Sequence, residues 1–233
     1  MSAGKETAGA QLDQSGRRAL LAAGSGFLLL LTLFTPRARA AESGLEGPTV
    51  NVTGWGLPRL AFTMTDANTG REVNAQDFRG KVVLLYFGYT NCPDVCPMTL
   101  HNIALVLGRL GAESGRVRAL FVTVDPHRDT LPVLHKYTHL FASEIVGLRG
   151  TANQLASLAS RYHVGYSVSA PTAQHPYEVN HSSVIYVFDA GGRARLLIPS
   201  LDTGTASVTG VAGALGELLG REGAQAAIAG RRT

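Results

Sequence analysis

The chain of 233 residues contains two cysteines, Cys92 and Cys96, which are separated by three residues. Such a pair can close a small disulfide ring or hold a soft metal ion between its sulfur atoms. A disulfide that closes so short a loop removes little entropy from the unfolded chain, so it would stabilise the fold only weakly. A Cys-x-x-Cys pair would indicate a thioredoxin-like dithiol, whereas the additional residue here leaves room for an ion. The spacing therefore favours a functional pair.

Two thiolates rarely complete a metal site, and imidazole is the usual source of a third ligand. Among the seven histidines, His181 stands immediately before a strand-like segment, residues 182–188, at the end of a loop from which it could lean over the cysteines. The pattern alone leaves the choice of histidine open. His101 follows the cysteines on a helix, and His127 and His175 lie in loops. Three more lie on predicted helices, where we expect them to be either solvated or satisfied within the core: His135, His139 and His163.

The segments on either side of the cysteines predict a strand, a loop and a helix. Residues 81–87 are apolar and β-favouring without polar alternation, which indicates a central strand covered on both faces. Pro97 fits the first turn of a helix and disfavours helical torsions at the preceding residue, so we expect the helix to begin at Pro97 with Cys96 as its cap. The helix dipole should then favour the thiolate form of Cys96, which is the form that binds metals.

The rest of the pattern alternates strands with helices, which is typical of an α/β fold around one sheet. Residues 60–65, the turn 66–70 and Val73 predict a hairpin near the N-terminal end of the domain. Further strands are expected at residues 117–124, 145–148, 184–188 and 194–198. Further helices are expected at residues 130–141, 151–163 and 205–219. We therefore predict a central mixed sheet flanked by helices, with an N-terminal β-hairpin extension.

The composition, 45% hydrophobic and 16% charged, is that of an ordinary globular protein, and one domain is expected. The net charge of +4 arises largely in residues 1–40, which contain five of the 21 basic and two of the 17 acidic side chains. Residues 41–233 therefore carry 16 basic and 15 acidic side chains. Because this body is nearly neutral, it lacks the basic surface that nucleic-acid binding requires, and we predict no nucleic-acid partner.

The N-terminus has the organisation of an export signal. Arg17 and Arg18 precede an uncharged run, residues 19–34, and an Ala-x-Ala sequence follows at residues 38–40. We predict that residues 1–40 form a secretory signal peptide, or alternatively a membrane anchor through residues 19–34, which are slightly short for a span. Either outcome places the body outside the cytoplasm, in the periplasm. The remaining boundaries are predicted as a flexible lead segment, 41–56, a domain, 57–220, and a C-terminal tail, 221–233.

Four segments, in order, resemble the signatures of the Sco/SenC family of thioredoxin-fold copper proteins: Phe87-Gly-Tyr-Thr-Asn-Cys-Pro-Asp-Val-Cys-Pro, Val124-Asp-Pro-His-Arg-Asp-Thr130, Val146-Gly-Leu-Arg-Gly-Thr151 and Tyr177-Glu-Val-Asn-His-Ser182. The similarity spans roughly residues 57–220, and four ordered signatures are far more specific than one. The resemblance implies a thioredoxin-like fold and copper, as Cu(I) and also Cu(II), bound by Cys92, Cys96 and His181. It further implies a role in assembling the binuclear copper site of cytochrome c oxidase.

Two positions depart from the usual pattern of that family. Asn91 stands where the family often has histidine, and we expect this change to be neutral. Asn180 stands where aspartate usually precedes the ligand histidine, so a negative charge beside the expected site is missing. Residues 125–130 have two interpretations: a helix start capped by Asp129 or Thr130, with Arg128 paired to a carboxylate, or a loop for docking a partner. The capped helix start is the preferred interpretation.

The leading functional hypothesis is a copper chaperone, not an enzyme, that passes its ion by ligand exchange to the copper-site subunit of cytochrome c oxidase. The alternative is a thiol-disulfide oxidoreductase in which Cys92 attacks the disulfide of a partner. A peroxidase is a weaker third hypothesis, because the sequence supplies a dithiol instead of one activated cysteine. Disulfides persist outside the cytoplasm, so we also expect a reductant partner that keeps Cys92 and Cys96 reduced.

Overall fold

The centre of the fold is the buried strand that leads to the cysteines. The computed structural model describes residues 48–169, 171–172, 177–202 and 205–229. The predicted signal peptide or anchor, the first residues of the lead segment and the end of the C-terminal tail lie outside the described residues. Within them, the strand before the cysteines runs from Val82 to Gly88 and all seven of its residues are buried, as its apolar run predicts.

In the part of the chain that the structure describes, eight strands form one mixed sheet and two more form a separate ribbon. In chain order the strands are β1 (Val50–Asn51), β2 (Thr63–Asp66), β3 (Glu72–Asn74), β4 (Val82–Gly88), β5 (Val117–Thr123), β6 (Ile145–Arg149), β7 (Tyr166–Ser169), β8 (Glu178–His181), β9 (Ile185–Phe188) and β10 (Ala194–Ile198). The sheet has the order β1-β10-β9-β4-β5-β6-β2-β3, and β7 pairs with β8. Strand β4 is parallel to β5 and antiparallel to β9, so it occupies the predicted central position.

Among the described residues, four α-helices accompany the sheet: α1 (Val95–Leu110), α2 (Leu131–His139), α3 (Ala152–Arg161) and α4 (Thr205–Ala229). Helix α1 packs against α4, and α2 packs against β6. On α3 the buried residues are Leu155, Leu158 and Ala159, which recur at the helical spacing that the sequence predicts. The mixed sheet with flanking helices confirms the predicted fold class, and β2 and β3 form the predicted hairpin.

The lead segment departs from its prediction where the structure describes it. Val50 and Asn51 form a strand that pairs with Leu197 and Leu196 of β10. Val50 and Val52 are buried in the core. The prediction of weak packing is therefore wrong for this part, because the open edge of β10 supplies hydrogen-bonding partners that a two-residue strand does not reveal by its own pattern.

The C-terminal helix is longer than the pattern indicates. It continues to Ala229 instead of ending at residue 219, so much of the predicted tail is helical. Alanines at positions 224, 226, 227 and 229 favour the helix enough to outweigh Gly220 and Gly223. The backbone N–H of Ala190 also donates to Glu222 Oε1 at 2.7 Å, which ties this part of the helix to the turn between β9 and β10.

One described helical stretch, Val95–Arg116, is long and apolar enough to cross a membrane by length and composition. It comprises α1 and the short 3-10 helix that follows. Leu100, Ile103, Val106 and Leu107 of α1 are buried in the protein core. This burial accounts for the apolar character of the stretch, since the core helix of a globular protein also needs an apolar face.

Candidate metal centre

The two cysteines lie in the connection between β4 and α1. Asp94 is the N-cap of α1, so the helix begins at Val95 and includes Cys96 in its first turn. The predicted start at Pro97 is therefore wrong by two residues. Pro97 occupies the third helical position, where the backbone N–H has no intrahelical partner in any case, so proline is tolerated there without losing a hydrogen bond.

Both thiols are free, and their surroundings differ. Cys96 is fully buried and belongs to the hydrophobic core, whereas Cys92 is partly exposed. The backbone N–H of Cys96 points at Cys92 Sγ at 3.5 Å, so the sulfur of Cys92 accepts from an amide at the start of the helix. The turn of the helix thus brings the second thiol beneath the first and leaves Cys92 as the accessible sulfur of the pair.

His181 is the histidine that the fold brings to the cysteines. Its Nε2 lies 3.2 Å from Cys96 Sγ. Its Nδ1 lies 3.0 Å from the carbonyl oxygen of Ser182, so Nδ1–H is the donor to that carbonyl and Nε2 keeps its lone pair facing the sulfur. One ligand atom from each of Cys92, Cys96 and His181 lies within 4.8 Å of the others, and no second group of three His, Cys, Asp or Glu side chains in the described part of the chain meets this test.

The position of His181 in the fold differs from the predicted loop. It is the last residue of β8 and pairs with Tyr166 of β7. The ribbon of β7 and β8 therefore holds the imidazole at its end, more rigidly than a loop would. The sequence of β8, Glu178–His181, contains residues that are uncommon in strands, and its pairing partner lies outside the main sheet, so local pattern does not reveal it.

Two tyrosines line the site. The ring centroids of Tyr86 and Tyr89 lie 6.0 and 5.7 Å from that of His181, and both pairs are edge to face. The Tyr86 hydroxyl donates towards Cys96 Sγ at 3.6 Å. Burial, followed by the proximity of Cys96, holds the pKa of Tyr86 far above its usual value, so the hydroxyl remains a donor. The aromatic rings restrict the ligand side chains and exclude water from their buried side.

Burial also sets the protonation of the ligands. Desolvation raises the pKa of Cys96 to about 12, which overturns the expectation that the helix start favours its thiolate in the metal-free protein. The helix dipole contributes about 0.3–1 kcal/mol at an exposed site, which is too little to offset full burial of a charge. Desolvation lowers the pKa of His181, so the imidazole is neutral at pH 7 and ready to bind a metal ion.

These directions predict the pH dependence of metal uptake. A metal ion must displace the proton of Cys96, whose pKa of about 12 lies above the working pH, so affinity should rise with pH. Between pH 6.5 and 8.5 this proton alone should change the apparent affinity for Cu(I) by about tenfold per pH unit. His181 adds no such dependence there, because its pKa is lowered. Competition titrations against a Cu(I) chelator, corrected for the chelator's own protonation, measure the slope, and a flat profile would contradict the assigned ligand.

Gly88 makes room for the site. A methyl group at this position would lie 2.5 Å from Cε2 of Phe121 and 2.9 Å from Cys96 Sγ, both too close for real contacts. The sulfur of Cys96 therefore sits in space that only glycine leaves free at the end of β4. This small cradle and the soft donor set fit a soft or borderline ion, for which thiolate and imidazole are the preferred ligands.

Replacing this glycine is expected to damage both fold and site. Gly88→Ala should lower the free energy of unfolding by about 1–3 kcal/mol, because Phe121 or Cys96 has to move. Gly108→Ala is the matched control, since Gly108 lies within α1 with open space around it, and it should raise stability by about 1 kcal/mol. Urea unfolding of both variants checks the prediction. Equal stability of Gly88→Ala and the parent protein would show that Phe121 and Cys96 can move aside to accommodate a methyl group without cost.

The loop that carries Cys92 is anchored by the buried carboxylate of Asp129, a residue that the sequence pattern indicates as a possible helix cap. Asp129 accepts from the Thr90 backbone N–H at 3.0 Å, from the Thr90 hydroxyl at 2.6 Å and from the Thr123 hydroxyl at 2.6 Å. It does not cap α2: the N-cap is Thr130, whose side chain makes no capping hydrogen bond. Asp129 thus holds the cysteine loop against the end of β5.

The other half of the same segment contacts Tyr177, the residue directly before the strand that carries the histidine. Arg128 pairs with Asp125, as the preferred interpretation of this segment predicts. The Tyr177 hydroxyl donates to Asp125 Oδ1 at 2.8 Å, and the Arg128 guanidinium lies 4.0 Å from the Tyr177 ring centroid. Tyr177 directly precedes β8, which ends at His181. Residues 125–130 therefore contact both the cysteine loop and the approach to the histidine strand, a supporting role that the sequence alone did not indicate.

The other candidates that lie among the described residues do not join the site. Asn180 is exposed, and the hydrogen-bond acceptor of His181 Nδ1 is the Ser182 carbonyl instead of a side chain at position 180. His175 lies outside the described residues. The other five histidines are exposed: His101, His127, His135, His139 and His163. His135 and His139 lie on α2 as predicted, whereas His163 lies two residues beyond the end of α3.

Comparison with known proteins identifies the family of the chain. The family model described as SCO1/SenC matches residues 59–215. The mitochondrial protein SCO2 homolog of Bos taurus is 41% identical over 133 residues, which cover 56% of this chain and 50% of that protein. The chain thus spans about half the length of the mammalian relatives it matches.

Two solved structures that contain copper are also similar. The structure of Bradyrhizobium japonicum ScoI with copper bound matches with a TM-score of 0.54 and 37% identity, covering 58% of this chain and 85% of that one. Yeast Sco1 with copper bound matches with a TM-score of 0.57 and 30% identity, covering 66% and 87%. These similarities confirm the thioredoxin-like fold class. With a family match over more than half of its length, the chain belongs to the SCO1/SenC family.

Proposed function

We propose that this protein binds one copper ion through Cys92, Cys96 and His181 and delivers it to the binuclear copper site of cytochrome c oxidase. The observation that carries the proposal is the approach of three soft or borderline donors to within 4.8 Å of one another. Two thiolates favour Cu(I), and the imidazole also suits Cu(II). Membership of the SCO1/SenC family supports the oxidase as target, because BsSco, a structurally similar protein, is a member of the Sco family of cytochrome c oxidase assembly proteins.

The unequal burial of the donors suggests how the ion leaves. Cys96 is fully buried, whereas Cys92 and His181 are partly exposed. A ligand from the partner can therefore reach the copper from the side of Cys92 and His181, while Cys96 retains the ion until exchange is complete. Each exchange replaces one donor by another, so the copper ion is cargo and the protein returns to its dithiol form after release.

One observation favours the alternative function as well. A thiol-disulfide oxidoreductase needs an accessible attacking sulfur and a second sulfur behind it, and Cys92 and Cys96 have this arrangement. Cys92 would attack a disulfide of the partner, and Cys96 would then release the reduced partner and leave a Cys92–Cys96 disulfide. This function does not require His181. The imidazole at 3.2 Å from Cys96 Sγ therefore weighs towards delivery.

Cells that lack the protein distinguish the two functions. For a delivery protein, oxidase activity should be low in the deletion strain, rise partly with added copper, and stay low at limiting copper with a His181→Ala protein. A reductant keeps the cysteines of its partner ready for metal, so copper alone should not replace it. Rescue by His181→Ala at limiting copper, with no benefit from added copper in the deletion strain, would overturn the delivery proposal.

We further propose where the protein works. The signal-like residues 1–40 support export to the periplasm, either as a cleaved protein or anchored to the inner membrane by residues 19–34. The domain would then comprise residues 57–220 together with the β1 segment. A thiol reductant of that compartment would keep Cys92 and Cys96 reduced. Fractionation of cells and mass measurement of the mature chain decide between cleavage and anchoring.

A further inference from the structure

Helix α2 presents two histidines that take no part in the copper centre. His135 and His139 are four residues apart, so they lie one above the other on the same face of the helix. Both side chains are exposed, and their ring centroids are 4.2 Å apart. Two neighbouring imidazoles at this spacing can bind one metal ion through one nitrogen each, as in the paired helical histidines of zinc enzymes.

The orientation of one ring is already fixed. His135 Nδ1 lies 3.0 Å from the side-chain oxygen of Asn68, in the turn between β2 and β3. With Nδ1–H as the donor to this oxygen, Nε2 of His135 keeps its lone pair free. Metal-binding histidines commonly have such a partner on the second ring nitrogen, because it fixes the tautomer and the direction of the ring.

The position on the helix favours a cation. Helix α2 ends at His139, so both imidazoles belong to its last turn and a half. The carbonyl groups at this end carry the negative pole of the helix dipole, which stabilises positive charge near the last turn. The pair therefore combines nitrogen donors, a fixed tautomer and a favourable field.

We propose that His135 and His139 form a second metal site, which binds one divalent borderline ion such as Zn(II) or Cu(II). Imidazole prefers these ions, and by the general order of affinities Cu(II) should bind more tightly than Zn(II). The two nitrogen donors leave the remaining coordination positions to water. The site contains no thiol, so it differs in class from the Cys92, Cys96 and His181 group and survives oxidation of the cysteines.

The test is a calorimetric titration of Zn(II) into the full chain after its thiol site has been filled with Cu(I), which prevents Zn(II) from binding there. One Zn(II) per chain should bind. His135→Gln and His139→Gln should each weaken Zn(II) binding by about tenfold or more. Loss of a residue that only hydrogen-bonds to a metal ligand already lowers metal affinity by about tenfold, and each of these variants removes a ligand itself. His101→Gln is the matched control, because His101 is also exposed and helical but has no histidine four residues away.

The outcomes separate clearly. Zn(II) binding that is lost in the His135→Gln, His139→Gln protein and unchanged in His101→Gln supports the site. No Zn(II) uptake by the parent protein, or equal uptake by the double variant, overturns it. As a second measurement, paramagnetic resonance of Cu(II) on protein with a Cys92–Cys96 disulfide should show two coordinated nitrogens, and these should disappear in the double variant. Cu(I) loading is determined separately, so failure of this site leaves the proposed delivery function untouched.

Discussion

Cu(I) bound per chain is expected to fall from one to nearly zero when Cys92 and Cys96 are both replaced by serine. A serine hydroxyl is a harder and far more weakly acidic donor than a thiol, so it does not replace a thiolate for a soft ion. Losing both sulfur donors should weaken Cu(I) binding by more than about 100-fold. Loss of a residue that only hydrogen-bonds to a metal ligand already lowers metal affinity by about 10–100-fold. Metal analysis after desalting against a Cu(I) chelator measures the loss.

The control for this experiment lies in the same loop. Asn91 is exposed next to Cys92, and its described side-chain hydrogen bond is a long one, 3.5 Å, to Thr90. Asn91→Ser should retain one copper per chain and the circular dichroism of the parent. Copper retained at full stoichiometry by the Cys92→Ser, Cys96→Ser protein would place the metal site elsewhere in the chain.

Replacing the histidine should produce the second large effect. His181→Ala is expected to weaken Cu(I) binding by at least about tenfold and Cu(II) binding more strongly, because imidazole is the donor that best suits Cu(II) in this group. Disulfide reduction by Cys92 and Cys96 should survive, since it needs only the two sulfurs. Competition titrations and a disulfide-reduction assay on the same preparation measure both quantities.

His101→Ala serves as control for the histidine variant, because His101 is exposed on α1 and is not one of the proposed copper ligands. It should match the parent protein in both assays. If His181→Ala bound Cu(I) and Cu(II) as tightly as the parent, the imidazole 3.2 Å from Cys96 would be a structural residue only.

The central features of the fold follow directly from local pattern. The unbroken apolar run at residues 81–87 predicts a buried central strand, and β4 is buried along its whole length. The hairpin of β2 and β3 and the turn after β9 also follow from their turn residues. In such segments the residues themselves carry the information, because hydrophobic period and turn chemistry act over a few positions.

Features that depend on distant partners could not be predicted in the same way. Strand β1 forms by pairing with the edge strand β10, and β8 forms by pairing with β7. The support that Asp129 gives to Thr90 joins residues 39 positions apart. The protonation of Cys96 likewise depends on burial by the whole core, which outweighs the local effect of the helix start. The sequence indicates the donors, whereas tertiary packing determines their support and their proton affinities.

X-ray absorption at the copper edge of reduced, copper-loaded protein tests the central claim most directly. One copper per chain is expected, with two sulfur ligands and one nitrogen ligand supplied by Cys92, Cys96 and His181. The nitrogen contribution should disappear in His181→Ala while both sulfurs remain. A first shell of oxygen and nitrogen alone, or an unchanged spectrum in His181→Ala, would contradict the assignment of the site.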